Sequence, residues 1–446
     1  MKRWTRLALV AAAVLGTGQP VAAQHLRDRI GQLFIFGPGE DPLFLSGSAD
    51  PDNPASVQAH GKHFIPAAQS SNGTIIDFLT GAIGTNITNL PINATNAAVT
   101  FSLVGGVPQQ TSTSLGPIFA ERAQTLGRGR AFLSAAVNSF DFRSLRGVDL
   151  DKIHLDFTHQ NSDFAGCDSI FGGDCSVYGI PSFENDFISF DLSLHLNVVS
   201  TVFVFSYGLL DRLDVGVALP LIRTSLRGVS NAQVVPFGPP ADHFFGGTVD
   251  NPNLFASRSV DESSTGLGDM ALRVKYAVVE SGNTRLSLLA DARFPTGSAK
   301  DLRGSGKFSM RGLGILSSQY GNFALHLNAG YLQRHGDLEN DALLATVEFD
   351  QALAPWASLA VDFMSQTQVG ASKLTFPTTV TIDAPYHRTI TPTNIPNIRD
   401  NLVDQSIGFK FLTPSGIVLI TNAIWPLNQG GLRSGVSFTA GVQYGF

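Results

Sequence analysis

The stretch that decides the fold stands at the end of the sequence and reads GVSFTAGVQYGF, residues 435–446. Apolar and polar residues alternate along it without interruption. The apolar face consists of Val436, Phe438, Ala440, Val442, Tyr444 and Phe446. The polar face consists of Gly435, Ser437, Thr439, Gly441, Gln443 and Gly445. Because successive side chains of a β-strand point to opposite sides, this alternation predicts a strand with one apolar and one polar face.

The aromatic end of this strand indicates a particular class of protein. The spacing Thr439-x-Gly441-x-x-Tyr444-x-Phe446 resembles the C-terminal signal that outer-membrane β-barrels present to their insertion machinery. We therefore interpret Gly441, Tyr444 and Phe446 as an insertion signal, which implies the barrel insertion machinery and outer-membrane lipid as partners. A soluble sandwich strand also alternates in this way, so an export signal and many more such strands are needed to decide.

The N-terminus has the pattern of an export signal. Lys2, Arg3 and Arg6 form a basic region, residues 7–15 form an apolar core, and Val21-Ala22-Ala23 is a small-residue cleavage site before Gln24. We predict that residues 1–23 are a signal peptide. Its apolar core is too short to span a bilayer. The alternative is a buried N-terminal helix.

Charge and composition exclude several classes of function. Removing Lys2, Arg3 and Arg6 from a chain of net charge −6 leaves −9, which argues against nucleic acid as a partner. Beyond the signal, the sequence has no apolar run of eighteen residues, so membrane-spanning helices are excluded. A chain with 45 glycines, 32 phenylalanines and only 15% charged residues fits alternating strands with one face in lipid.

The two cysteines, Cys167 and Cys175, lie close together in a long segment that resembles a loop. An exported chain meets an oxidising periplasm, so we predict a disulfide between them. Two cysteines alone are a poor metal site, and the sequence predicts neither a metal site nor a cofactor.

Residues 24–115 do not have the pattern of a barrel wall. Residues 25–36 and 75–87 carry apolar residues at helical spacing, and residues 99–103 and 107–113 form a candidate hairpin. These elements predict a partly helical plug or periplasmic segment, and the alternative is a loose N-terminal extension.

From residue 116 to residue 446 the pattern is that of a barrel. Alternation predicts twelve wall strands at 129–142, 186–207, 213–223, 268–280, 285–296, 306–319, 323–335, 342–353, 356–367, 404–413, 416–426 and 434–446. The alternation slips near Val198-Val199, which predicts a bulge. The fold class is therefore all-β, a transmembrane antiparallel β-barrel of about twelve strands, with a range of 10–14 because residues 97–113 could add a hairpin.

The connections between these strands alternate between short and long. Short turns fall near residues 209–212, 281–284, 320–322, 354–355 and 414–415, and the longer segments are 224–267, 297–305, 336–341, 368–403 and 427–433. Outer-membrane barrels have short periplasmic turns and longer extracellular loops. This places the C-terminus in the periplasm. The free edge of the last strand should pair with the first wall strand, near 129–142, unless residues 97–105 take that place.

Several turns and strand starts resemble one known family. The stretches are GPIFAERAQTLGRGRAFLS (116–134), YGLLDRLDVGVALPL (207–221), GLGDMALRVKYAV (266–278), ADARFPTGSAKDLRGSG (290–306) and WPLNQGGLRSG (425–435). They are similar to outer-membrane proteins of the "MetA-pathway of phenol degradation" family, transporter-type barrels distantly similar to long-chain fatty acid transporters. The resemblance covers roughly residues 116–446 and implies passage of hydrophobic or aromatic compounds through the bacterial outer membrane.

If the apolar strand faces meet lipid, the alternating charged residues point into the lumen. The candidates are Asp191, His195, Asp214, Arg273, Lys275, Asp291, Arg293, Lys307, Arg311, His326, Glu348, Asp362 and Lys410. Their charges nearly balance. They could form a polar constriction that selects solutes, or a structural lining of ion pairs. For Arg273, Lys275, Asp291 and Arg293 to share a face, the turn at Gly282-Asn283 must have three or five residues or be followed by a bulge.

We expect a channel or transporter that takes up small, hydrophobic or aromatic molecules. The alternative is a structural or receptor barrel that binds a partner through residues 224–267 and 368–403. An enzyme such as an outer-membrane lipase is not predicted, because Ser193 and His195 are neighbours on one strand and the sequence has no GxSxG or HExxH motif.

Overall fold

The computed structural model describes residues 25–36, 41–47, 64, 68, 75, 101–104, 107–110, 114–158, 186–236, 243–248, 250–336, 339–376, 379–382 and 388–446. The predicted disulfide and most of the predicted helix at 75–87 lie outside these residues. Among the described residues, no helix is long and apolar enough to cross a membrane.

Within the described residues, twelve antiparallel strands form a closed barrel, as the sequence predicts. They are β1 (Ala131–Leu145), β2 (Phe187–Leu210), β3 (Leu213–Val235), β4 (Met270–Ser281), β5 (Thr284–Phe294), β6 (Ser309–Tyr320), β7 (Phe323–Arg334), β8 (Ala342–Ala354), β9 (Ala357–Gln368), β10 (Leu402–Leu412), β11 (Val418–Pro426) and β12 (Ser437–Gly445). Each pairs with the next, and β12 pairs with β1, which confirms the predicted closure.

Short and long connections alternate around this wall as predicted. Two residues separate β2 from β3, β4 from β5, β6 from β7 and β8 from β9, while β3–β4 and β9–β10 are joined by long segments. With the short turns in the periplasm, Phe446 also lies there. The end of the barrel that carries the long loops is extracellular.

The outward face of the wall is apolar. Exposed side chains recur at every second residue of each strand, such as Phe203 and Phe205 on β2 and Leu272 and Val274 on β4. Aromatic side chains mark the periplasmic rim, among them Tyr207, Tyr320, Trp356 and Tyr444. An apolar band bordered by aromatic residues is typical of a barrel wall in lipid.

The bulge predicted near Val198-Val199 is wrong. The ladder between β2 and β3 is continuous from Phe187 to Gly208, and the register shifts only between Gly208 and Leu210. The side chains at even positions of β2 therefore point inward along this whole length. What changes is the environment, because the upper part of β2 stands above the membrane. There the inward face is apolar and the outward face meets water.

Further strands pair with these extended parts of the wall. Ile153–Thr158, predicted as an extra strand, pairs with β2, and Phe255–Leu267 pairs with β3 above the point where β4 leaves it. Short strands lie at Val148–Asp149 and Leu432–Ser434 beside β1. Small two-stranded pairs are Ser46–Gly47 with His243–Phe244, Phe101–Val104 with Val107–Gln110, Gly246–Thr248 with Asn251–Asn253, and Val380–Ile382 with Arg388–Ile390.

The predicted N-terminal helix is present as α1 (Leu26–Gln32). It lies at the extracellular end, where Arg29 pairs with Glu262 of the strand Phe255–Leu267 at 2.9 Å. The hydroxyl of Ser230 on β3 donates to the carbonyl oxygen of Leu33. A 3₁₀ helix at Ala299–Asp301 lies beside α1. The periplasmic position allowed by the sequence therefore does not apply to this helix.

The bulge predicted beside Gly282-Asn283 is confirmed. The turn has two residues, Ser281 pairs with Thr284, and the register then shifts between Ala277 and Val279. After that shift Arg273 lies opposite Asp291. The extra residue restores the parity that places both side chains on the inward face.

Candidate solute pathway

The inward face within the membrane is polar and charged. Nine of the side chains predicted for the lumen point inward and are buried, and Arg311 is partly buried beside them. The nine are Asp214, Arg273, Lys275, Asp291, Arg293, His326, Glu348, Asp362 and Lys410. The same inward rows contain Ser287, Ser317, Asn328 and Asp350, which were not predicted.

Three candidates do not face the lumen. Asp191 and His195 occupy odd positions on the upper part of β2, and the Asp191 side chain is 73% exposed and 2.8 Å from His154. The prediction placed them inward because it assumed that the apolar face of β2 meets lipid along its whole length. Lys307 is exposed in the loop before β6 and is not on a strand.

The residues of the expected insertion signal lie on β12. Tyr444 and Phe446 are exposed on the outer side, with ring centroids 5.8 Å apart, and Gly441 faces inward. Cys167 and Cys175 lie outside the described residues. The use of this strand by an insertion machinery stays a prediction.

A chain segment crosses the lumen inside the periplasmic half of the barrel. We call residues 114–126 the lumen segment. It runs along the inner wall from β9 and β10 past β7, β6 and β5 to β3. Most of it falls in the range that the sequence assigned to the barrel. Its Ile118 packs against Ala360 and Ile420, and its Ala123 packs against Leu289 and Ile315.

Wall side chains bind the backbone of the lumen segment. The amides of Phe119 and Ala120 donate to Asp362 Oδ1 at 3.1 and 3.0 Å. Asn328 accepts from the amide of Glu121 and donates to its carbonyl oxygen. The remaining contacts repeat this arrangement: the Leu115 amide with Ser358, the Ala123 amide with Ser317, the Leu126 amide with Asp214, and Lys410 with the carbonyl oxygen of Pro117.

Charged side chains of β4 also bind the lumen segment. The guanidinium of Arg273 donates to Glu121 Oε1, and both side chains are almost fully buried. The ammonium of Lys275 donates to the carbonyl oxygen of Arg122 at 3.1 Å. Asp291 lies 2.8 Å from Arg311, so these buried charges pair with one another or with the lumen segment.

Residues 127–130 connect the lumen segment to β1 and pass directly against Gly208. A Cβ on Gly208 would lie 1.9 Å from the carbonyl oxygen of Gly127, and the Gly208 amide donates to Arg130 O at 2.9 Å. Both neighbours are backbone atoms of this connecting segment, so position 208 has no space for a side chain.

We therefore predict that Gly208→Ala destabilises the folded barrel by about 1–3 kcal/mol, because the connecting segment at residues 127–130 must shift. The measurement is urea unfolding in detergent micelles, followed by tryptophan fluorescence. Gly312→Ala is the matched control, since a Cβ at this wall glycine meets open space. Equal midpoints for the two variants would contradict the packing argument.

The extracellular half of the interior is apolar. The inward residues Ile188, Phe190, Leu192 and Leu194 of β2 belong to one buried cluster with α1 and with strand Ile153–Thr158. Its centre is aromatic: the ring of Phe34 stacks on that of Phe190 at 4.6 Å, and Phe157 meets both rings edge-on. We call Phe34, Phe36, Phe157, Phe190 and Phe245 the aromatic cluster.

One ionised contact fastens the start of α1 to an extracellular loop. Asp301 Oδ1 lies 3.0 Å from His25 Nδ1, and Arg303 donates to Asp301 Oδ2. Partial burial alone would raise the pKa of Asp301, but hydrogen bonds from Arg303, His25 and Ser298 outweigh it and lower this pKa to about 2. Because the pKa is lowered, the contact is fully present above pH 3.8 and is lost as the pH falls towards 2.

Sequence reasoning missed the groups that hold the lumen segment. Ser317, Ser358 and Asn328 are uncharged, and only their inward strand positions could have indicated a role. Glu121 lies in an irregular segment without any periodicity, so no sequence pattern indicated its pairing with Arg273.

The comparisons with known proteins concern the barrel. Residues 181–375 match the family described as "Putative MetA-pathway of phenol degradation", which confirms the resemblance noted in the sequence. No curated protein matches the chain. An outer membrane channel from Pseudomonas putida F1 is 11% identical, covers 73% of this chain and 98% of its own, and has a TM-score of 0.39.

Two other similar structures are a hydrocarbon channel and a FadL homologue. The monoaromatic hydrocarbon channel CymD is 9% identical over 79% of this chain and 99% of its own, with a TM-score of 0.34. A FadL homologue from Pseudomonas aeruginosa is 11% identical over 71% and 89%, with a TM-score of 0.31. At these identities the likeness is one of fold alone.

The residues matched to this family span β2 to β9, which form most of the closed wall with its apolar outer face and aromatic rim. The closed wall is that of an outer-membrane β-barrel, and the protein resides in the bacterial outer membrane.

Proposed function

We propose that the protein is an outer-membrane channel for the uptake of small hydrophobic or aromatic molecules. The observation that carries this proposal is the two-layer interior. The inward face is apolar above the membrane, where Phe190 and Leu194 are buried, and polar within it, where Arg273 and Asp291 are buried. An apolar layer at the extracellular entrance binds hydrophobic solutes, because they leave water on entering it.

The aromatic cluster is the binding site that we propose for an aromatic solute. Phe34 belongs to the N-terminal part of the chain, yet its ring stacks on Phe190 of the wall at 4.6 Å. A flat apolar solute can take the place of that ring, because offset stacking and edge-on contacts suit any aromatic ring. The phenol-degradation description of the matched family favours this class of solute.

The lumen segment is the barrier below this site. It is held by hydrogen bonds and ion pairs that exclude a continuous water path, and passage requires it to move. We propose that residues 24–115 and the lumen segment act together as the plug, that residues 1–23 are removed as a signal peptide, and that the charged wall residues hold the plug closed.

We also propose that the chain is not an enzyme. Ser193 and His195, the pair weighed from the sequence, are on the outward face of β2 above the membrane and do not line the interior. The similar solved structures are mostly transport channels by name.

The test is uptake by purified protein in liposomes across matched panels of solutes. Toluene and a medium-chain fatty acid represent the hydrophobic panel, and glucose and arginine the hydrophilic one. Protein-dependent uptake of the hydrophobic panel alone is expected. Uptake of the hydrophilic panel alone would contradict the proposal, and uptake of neither would favour a receptor that uses its long extracellular loops.

Within this assay, Phe190→Ala is expected to raise the half-saturating concentration of an aromatic solute about two- to tenfold, because one ring contact is lost. Phe203→Ala is the matched control, since Phe203 is on the same strand but is 49% exposed on the lipid side. If both variants took up the solute as the unchanged protein does, the aromatic cluster would not be its binding site.

A further inference from the structure

A row of polar side chains crosses four neighbouring strands of the wall in register. Ser317 on β6 lies opposite His326 on β7, and His326 lies opposite Glu348 on β8. Glu348 in turn lies opposite Asp362 on β9. Asp350 follows two positions after Glu348 and so points to the same side of β8. All of these side chains are buried.

Three members of this group converge on one point. His326 Nε2 lies 3.0 Å from Asp350 Oδ2 and 3.8 Å from Glu348 Oε2. One nitrogen or oxygen atom from each of the three residues lies within 4.8 Å of the others. We propose that His326, Glu348 and Asp350 bind a divalent transition-metal ion of the Zn²⁺ type. One imidazole and two carboxylates form a ligand set that Zn²⁺ accepts, with a fourth position left for water.

The second observation is an unsatisfied carboxylate that points into this group. Glu348 is fully buried, and within the described part of the chain neither of its carboxylate oxygens has a hydrogen-bond partner. Asp350 Oδ1 is in the same condition. A buried carboxylate without a partner is costly, and a bound cation satisfies such oxygens directly.

The nearby cations form no hydrogen bond with Glu348. Lys410 and Arg122 lie close enough to Glu348 to act on it electrostatically. However, Lys410 donates to the carbonyl oxygens of Leu115 and Pro117, and Arg122 donates to that of Ser114. With Asp350 and Asp362, the group has three carboxylates against two cations, which leaves a negative charge for a metal ion.

The other nitrogen of the imidazole is already oriented. His326 Nδ1 lies 2.7 Å from Ser317 Oγ, and the same hydroxyl accepts the Ala123 amide at 2.9 Å. If Nδ1–H donates to this hydroxyl, the Nε2 lone pair points at the carboxylates, as metal binding requires. Ser317 also connects the site to the lumen segment, so a bound metal fastens the segment to the wall.

The ligand atoms have to rearrange when the metal ion binds. Zn²⁺ holds nitrogen and oxygen ligands at about 2.0–2.2 Å, which sets tetrahedral ligand atoms about 3.3–3.6 Å apart. The Nε2 to Oε2 distance of 3.8 Å is close to this value, and the three ligand atoms lie within 4.8 Å of one another before metal binding.

The experiment is metal incorporation during folding, because the enclosed site has to be loaded as the barrel forms. Full-length mature protein without a polyhistidine tag is refolded from urea into detergent with Zn²⁺ or with EDTA. It is then dialysed, and its zinc is measured by mass spectrometry. About one Zn²⁺ per chain is expected, and its melting temperature should exceed that of the EDTA sample.

Glu348→Gln and Asp350→Asn keep the shape of the side chains and should reduce retained zinc to about a tenth or less. Asp214→Asn, a buried carboxylate on β3, is the matched control and should retain the full amount. Folding of each variant is checked by its heat-dependent mobility in gel electrophoresis. Zinc retention by the unchanged protein no greater than by Glu348→Gln would overturn the proposal.

Cobalt substitution gives a readout that needs no variant. Co²⁺ bound by one imidazole and two carboxylates in a four-coordinate site gives strong visible absorption, which six-coordinate aqueous Co²⁺ lacks. The unchanged protein refolded with Co²⁺ should show this absorption. A spectrum identical to that of free Co²⁺ would overturn the proposal.

Discussion

Removing residues 25–126 is expected to convert the closed barrel into a conducting pore. The remaining chain from Gly127 onward retains all twelve wall strands, including the closing pair of β12 with β1. A barrel of this size lies between eight-stranded barrels filled by side chains and sixteen-stranded barrels with an aqueous channel. The lumen segment supplies the filling here, so its loss leaves space for water.

The charged side chains of the wall also favour entry of water into the truncated barrel. Arg273 and Lys275 lose their partners Glu121 and the carbonyl oxygens of the lumen segment. Water has to replace these partners, because an unpaired buried charge is costly. Planar-bilayer recording should show stepwise ion conductance for the truncated protein and only baseline current for the intact one.

A smaller deletion identifies which part closes the barrel. Removing residues 25–36 takes away α1 at the extracellular end and leaves the lumen segment in place, so this variant should remain non-conducting. If the truncation to residue 127 conducted no better than this variant, the wall side chains alone would close the lumen.

Replacing Arg146 by Met is expected to release the long loop between β9 and β10. The Arg146 guanidinium is fully buried and donates to both carboxylate oxygens of Asp400 at 2.7 Å. It also donates to Ser372 and to the carbonyl oxygens of Leu374 and Pro396. Removing one member of a buried ion pair costs about 3–5 kcal/mol, and this cost falls on the attachment of residues 369–401.

Limited trypsin digestion measures this attachment, because the loop contains Lys373 and Arg399. The Arg146→Met protein should be cut there much faster than the unchanged protein. Arg143→Met is the matched control: Arg143 is on β1, three residues before Arg146, and pairs with Asp141. Its side chain is 70% exposed, and such pairs contribute about 1 kcal/mol or less. Equal cleavage of the two variants would argue against a pinned loop.

The strands were predictable because period-2 alternation records burial directly. It located twelve strands, the closing pair and the bulge beside Gly282-Asn283. The prediction of side-chain direction was wrong where the outer face of a strand does not meet lipid. At Asp191 and His195 the same alternation continues, but lipid has given way to water outside and to apolar packing inside.

The groups inside the barrel were harder to predict from the sequence. The lumen segment is recognised through its backbone amides, and amides are the same for every residue except proline. The convergence of His326, Glu348 and Asp350 depends on the register between β7 and β8. That register cannot be read from the sequence positions of the two strands. His326 and Glu348 were predicted to face inward, but Asp350 and the meeting point of the three side chains were not.

The pairing of β12 with β1 also determines the order in which the molecule can form. Phe132 and Gly445 are neighbours in this ladder although almost the whole wall separates them along the chain. Contacts between such distant residues are the slowest to form, because a long loop must close before they contribute. The barrel cannot complete its wall until its last strand has left the ribosome. The chain must therefore reach the outer membrane unfolded, with its final strand available from the start of assembly.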